Sequence, residues 1–180
     1  MNKNKGIHLM QADWDTLVIL DACRYDMVEE INKIEGELEH RYSRGSCTPD
    51  FIRENFLEGE FHDTVYVTAN PMYCGPKFEK YNIEERFYKI IDVWKPAWDG
   101  ELGTIKPKAV MEAAIKAFDD YPNKRHLVHF MQPHRPFIGD KGRQIEAQKG
   151  MTTRNQIEDE NENASNEGER AWKLVDQNRI

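Results

Sequence analysis

The sequence predicts a three-layer α/β/α sandwich built on a mainly parallel sheet. Three observations carry that expectation. Short apolar, β-rich runs recur along the chain: Leu17-Val18-Ile19-Leu20, Thr64 to Thr68, and His126 to Met131. A run that is apolar at every position fits a strand buried on both faces, as parallel strands are. Helical patterns lie between these runs, and strand alternating with helix is the pattern of an open α/β sheet. Finally, 180 residues suffice for one domain with a sizeable core.

The elements follow in order. The run Thr16–Leu20 ends in Asp21, and Tyr25, Val28, Ile31 and Ile34 then recur at helical spacing until Gly36 closes the segment. A short strand is expected at His40 to Ser43. The stretch S-R-G-S-C-T-P reads as a loop turning into a helix, with Thr48 as N-cap and Pro49 in the first helical position, where a missing N–H costs nothing. Ile52 and Phe56 form that helix's buried face. Thr64 to Thr68 is a strong strand running into the loop Ala69-Asn70-Pro71, and Phe87 to Trp94 reads as a further strand. A Pro- and Gly-bearing loop spans Lys95 to Lys106. Pro107 to Tyr121 is an amphipathic helix whose stripe is Val110, Met111, Ala114, Ile115 and Phe118. The strand His126 to Met131 then meets Pro133-His134-Arg135-Pro136-Phe137. From Gly139 to Glu169 Gln, Asn, Glu and Lys dominate, which predicts a mobile loop. A helix is expected to start near Glu167, with Ala171, Trp172 and Val175 on one side. The expected organisation is a core over 1–140 and a polar loop with the start of a helix over 141–180.

Composition excludes several functions. The formal charge is −7 with Lys and Arg scattered, a poor match for nucleic acid, whose binding rests on cationic side chains neutralising phosphates. Cys23, Cys47 and Cys74 are odd in number and widely spaced. They suggest neither a zinc pair nor a disulfide scaffold, and predict a reducing, cytoplasmic setting. No apolar run is long enough to span a bilayer, and Met1 to Met10 lacks the apolar core of a signal peptide.

In open α/β sheets chemistry gathers where strands end at the carboxyl edge, and three candidates sit at such places. Asp21 follows four apolar residues. A carboxylate there needs a compensating cation or hydrogen bonds, and it suits a divalent metal. The alternative is a cap on the next helix; Asp26, one turn in, reads as a dipole or surface charge. The loop Ser46-Cys47-Thr48 offers three nucleophiles at a helix start, where an anion is stabilised and oxyanions bind free N–H groups. Its alternative is an ordinary capped loop. His134, fixed by prolines on both sides, is placed to contact an oxyanion or act as a general acid. His129 lies within the strand, and His126, on the opposite face, reads as a bystander.

In order along the chain, three segments resemble the sulfatase branch of the alkaline-phosphatase superfamily. Leu17 to Asp26 (L-V-I-L-D-A-C-R-Y-D) resembles the family's opening strand with its metal-binding Asp, here Asp21, followed by a small residue and Arg, here Arg24. Cys47-Thr48-Pro49 matches the start of the C-x-P-x-R nucleophile motif, whose Cys sulfatases oxidise to formylglycine and related phosphatases replace by Thr or Ser. His129 to Phe137 (H-F-M-Q-P-H-R-P-F) is similar to the H-x-x-x-P-H-x-P segment, with His134 as the match. The resemblance covers roughly 14–138. It implies a hydrolase of sulfate or phosphate esters of small molecules. Asp21 would hold a divalent metal, calcium rather than zinc. Cys47, Thr48 or Ser46 would attack, and His134, with His129 and Arg24, would bind the substrate. Two departures matter. The motif's Arg falls at Phe51, against formylglycine formation. The family's later Asp-His-Gly or Asp-Asn metal segment is not found, so the fold is expected to be incomplete at the carboxyl end and the metal weakly held. The rivals are a phosphoryl or phosphoethanolamine transferase of the same superfamily and a truncated, inactive homologue. An uncovered sheet edge would also suit pairing with a second copy, a homo-oligomer.

Overall fold

The computed structural model describes residues 6–148. Its elements are β1 (Thr16–Leu20), α1 (Tyr25–Ile31), α2 (Thr48–Phe56), β2 (Phe61–Thr68), a 3-10 turn at Pro71–Cys74, the one-turn helices α3 (Pro76–Glu79) and α4 (Ile83–Arg86), β3 (Phe87–Asp92), α5 (Trp94–Ala97), β4 (Trp98–Asp99), β5 (Thr104–Ile105), α6 (Pro107–Asp120), β6 (Arg125–Phe130) and α7 (Asp140–Gln148). β1, β6, β2 and β3 form a four-stranded sheet in that order, every pair parallel. The chain divides into two compact units. The first comprises 6–98 and 105–135, and the second 99–104 and 136–148.

The first unit is the expected α/β sandwich. Register decides which side chains share a face. Leu17 pairs Leu127, and Leu127 pairs Tyr66. These three face a core shared with Ile52 and Phe56 of α2. Val18 pairs Val128, and Val128 pairs Val67. On that side Val128, Val67 and Val65 pack with Val110, Ala114 and Ala117 of α6. The central strands β2 and β6 are thus covered on both faces, which is why they read as unbroken apolar runs. Leu17 to Leu20, expected to be buried likewise, form an edge strand in which Val18 and Leu20 are exposed, because among the described residues β1 has a neighbour on one side only. A helix on each face also meets the demand for a long crossover between parallel strands.

Several expectations are corrected. His40 to Ser43 is no strand; among the described residues one isolated bridge, Ile7 to Ser43, is all that pairs there. α1 ends at Ile31, short of Gly36, and has no buried residue, so no tertiary contact sustains a longer helix. Only Val110 and Ala114 of the expected α6 stripe are buried, joined by Ala117; Met111, Ile115 and Phe118 are exposed. The stretch 95–106 contains part of α5 and the β4–β5 ribbon. In the second unit α7 occupies Asp140–Gln148, inside the expected loop. The rest of that loop and the helix expected from Glu167 lie outside the described residues. No helix among the described residues is long and apolar enough to cross a membrane.

Candidate functional site

A cleft of about 640 Å³ opens at the carboxyl edge of the sheet, and Asp21, Ser46, Cys47, Thr48, His129 and His134 all line it. The sequence candidates therefore meet in one place, for a topological reason. β1, β6 and β2 are parallel neighbours, so the residues that follow each strand emerge on one edge.

Asp21 continues the ladder by one bond, its N–H donating to Phe130 O at 3.2 Å. The chain then turns sharply at Ala22, which adopts φ +59°, a left-handed conformation uncommon outside glycine. The turn separates Asp21 from α1, whose N-cap is Arg24 without any side-chain cap. Asp21 is thus not a helix cap. Its Oδ2 collects every contact: Asn70 Nδ2 at 2.9 Å, Thr48 Oγ1 at 3.4 Å and, facing it, His129 Nε2 at 3.9 Å. Oδ1 accepts no hydrogen bond among the described residues.

Asn70 follows β2 as Asp21 follows β1. Its Oδ1 accepts the Met72 N–H at 2.9 Å, and its own N–H donates to Thr68 Oγ1 at 3.0 Å. With the amide oxygen occupied, the NH₂ group must face Asp21. His129 is buried, with Tyr66 OH 2.8 Å from its Nδ1. Burial raises the Tyr66 pKa, so the phenol stays protonated and can donate. Burial also drives the His129 pKa down to about 4, with the Asp21 charge acting in the opposite sense. A neutral imidazole accepting at Nδ1 carries its proton on Nε2, which points at Asp21 across a gap too long for a direct hydrogen bond.

Thr48 is the first residue of α2, and Cys47, not Thr48, is the N-cap. No side chain caps this terminus. First-turn N–H groups have no intrahelical partner, so the uncapped end favours an anion. The hydroxyl of Thr48, released from the capping role, reaches Asp21 instead. Cys47 is exposed at the same terminus, and Ser46 Oγ donates to Asp50 at 3.3 Å. Gly45 makes the approach possible: a Cβ there would lie 2.2 Å from Phe51 N. His134 Nδ1 donates to Arg135 O at 2.6 Å. That carbonyl can only accept, so Nε2 is the nitrogen left for a ligand. Arg24 lines the cleft but its guanidinium is paired with Asp26, which holds the Asp26 carboxyl below its usual range.

Among the described residues no group of three or more His, Cys, Asp and Glu side chains could hold a metal ion. Asp21 offers one free oxygen, the Asn70 carbonyl oxygen is engaged, and calcium takes six to eight oxygens. The described residues do not by themselves fit the divalent metal that the resemblance implies.

Sequence reasoning missed Asn70, Tyr66 and Met72. Asn70 could have been found by the rule that found Asp21, the first polar residue past a buried strand. Tyr66 and Met72 carry no such signal. No family model, no curated protein and no solved structure matches the chain.

Proposed function

We propose that this cleft is the ester-binding, nucleophile-bearing part of a hydrolase for sulfate or phosphate monoesters. The observation that carries the reading is the meeting of Thr48, at an uncapped helix terminus, with the Asp21 carboxylate. First-turn N–H groups of α2 hold the non-bridging oxygens. Thr48 Oγ1 attacks the central atom and its proton passes to Asp21 Oδ2. The bond to the alcohol oxygen breaks, and His134, protonated at Nε2, supplies the proton that the leaving alkoxide needs. Water then attacks the central atom and gives its proton to His134 Nε2, the bond to Thr48 Oγ1 breaks, and Asp21 Oδ2 returns the proton to Thr48. A hydroxyl nucleophile favours phosphate over sulfate, while Cys47 at the same terminus is the residue that a sulfatase would convert to formylglycine. The ligand count favours a second reading, a homologue that keeps the anion site and binds without turnover.

Titration of the full chain with inorganic sulfate and phosphate, followed by amide NMR, tests the proposal. Shifts centred on Cys47, Thr48 and Asp50 are expected, as is weakened binding in Thr48→Ala. Shifts absent from this terminus with both anions would sink it. With one carboxylate available, metal-stimulated turnover of an aryl sulfate or aryl phosphate is expected to be absent. Turnover abolished by chelation and by Asp21→Ala would show that further ligands join Asp21.

A further inference from the structure

Resting on that reading of the cleft, we infer that the alcohol half of the ester is apolar, an aromatic or aliphatic group rather than a carbohydrate, and that Phe51 and Met72 recognise it. The cleft is far larger than a tetrahedral anion. It measures about 640 Å³, against roughly 30 Å³ for one water's share of liquid volume. Most of its space therefore serves something other than the anion.

Ile19, Leu20, Pro49, Phe51 and Met72 form an apolar part of the lining. Phe51 sits one turn into α2 from the nucleophile loop, with its ring 6.0 Å from the His129 ring and 5.6 Å from Phe56. Met72, in the turn after β2, presents an adaptable thioether side chain.

Three polar side chains of the lining already have local partners. Arg24 is paired with Asp26, Ser43 Oγ accepts the Gly45 N–H at 3.2 Å, and Ser46 Oγ donates to Asp50. A sugar entering this space would give up water around several hydroxyls and find few replacements. An aryl or alkyl group loses nothing of that kind and gains burial.

The test is binding of four probes to the full chain by the same NMR titration: phenyl sulfate, phenyl phosphate, glucose 6-sulfate and glucose 6-phosphate. Each phenyl ester should bind at least roughly tenfold more tightly than its sugar counterpart, with shifts extending from Thr48 to Phe51 and Met72. Phe51→Leu, which keeps an apolar side chain against Phe56, and Met72→Ala should each narrow that ratio several-fold. Phe51→Arg should narrow it further. Equal affinity for phenyl and sugar esters overturns the inference while leaving the anion site in place, as does a ratio unmoved by all three variants. Failure of inorganic sulfate and phosphate to bind at Thr48 removes the site reading itself and this inference with it.

Discussion

Two aspartates end strands at the same edge of the sheet, and they are built for opposite ends. Asp92 closes β3 and Asp21 follows β1. Their side chains are about equally shielded, 19% and 15% exposed. Asp92 is saturated: the Tyr73 hydroxyl and Trp94 Nε1 donate to Oδ1, and Lys95 Nζ lies 2.6 Å from Oδ2. Asp21 gathers its partners on Oδ2 alone and faces a buried histidine rather than a lysine. Position at the carboxyl edge therefore does not make a site. A carboxylate with both oxygens occupied ties loops together, whereas one held by a single oxygen has the other available for chemistry.

The pH dependence of stability should separate the two ends most strongly. Asp92 is closed by Lys95, whose pKa its hydrogen bond raises, and has no histidine among its described partners. Burial takes the His129 pKa from an ordinary 6.5 down to about 4. The unfolded chain thus binds a proton before the folded one does. Its contribution is complete above pH 6.5 and is lost as pH falls toward 4, by up to about 3 kcal/mol. His8, also lowered by burial and then by Arg44, acts with the same sign. Urea unfolding at several pH values should show a smaller acid loss in His129→Gln than in the wild type. Identical losses in the two proteins would mean that His129 is not held neutral.

Truncation of the carboxylates comes next in size. Asp92→Ala strands the Tyr73 hydroxyl and the Trp94 N–H and should cost about 2 kcal/mol in urea unfolding. Asp21→Ala strands the Asn70 amide and removes the long Thr48 contact that the proposed chemistry uses, and should cost less, about 1 kcal/mol. Equal costs for the two variants would dissolve the distinction between them.

The smallest effect is the sharpest probe of the Asp21 end. A double-mutant cycle over Asp21→Ala and Asn70→Ala should give a coupling of about 1 kcal/mol in the same unfolding experiment. Additive single effects would mean that Asn70 does not hold the carboxylate.

The sequence alone determined the layers and most of the site. The apolar runs of β2 and β6 mark strands buried on both faces, and the periodicity from Pro107 onward marks a helix; Leu17 to Leu20 reads the same way, but β1 lies at the edge of the sheet and Val18 and Leu20 are exposed. Asp21, Thr48 and His134 follow because parallel strands send their ends to one edge. Local pattern did not reach what depends on neighbours. Met111, Ile115 and Phe118 share the helical period of Val110, but nothing in the period says how wide a strip of α6 the sheet covers. Thr48 has a capping side chain, yet the tertiary position of Asp21 turns it from cap to donor. The order β1, β6, β2, β3 brings Asn70 from the end of β2 and His129 from β6 against Asp21, with Tyr66 of β2 behind His129. Such contacts are set by the register of the sheet and the free energy of filling both its faces, which are properties of the whole chain and of no segment in it.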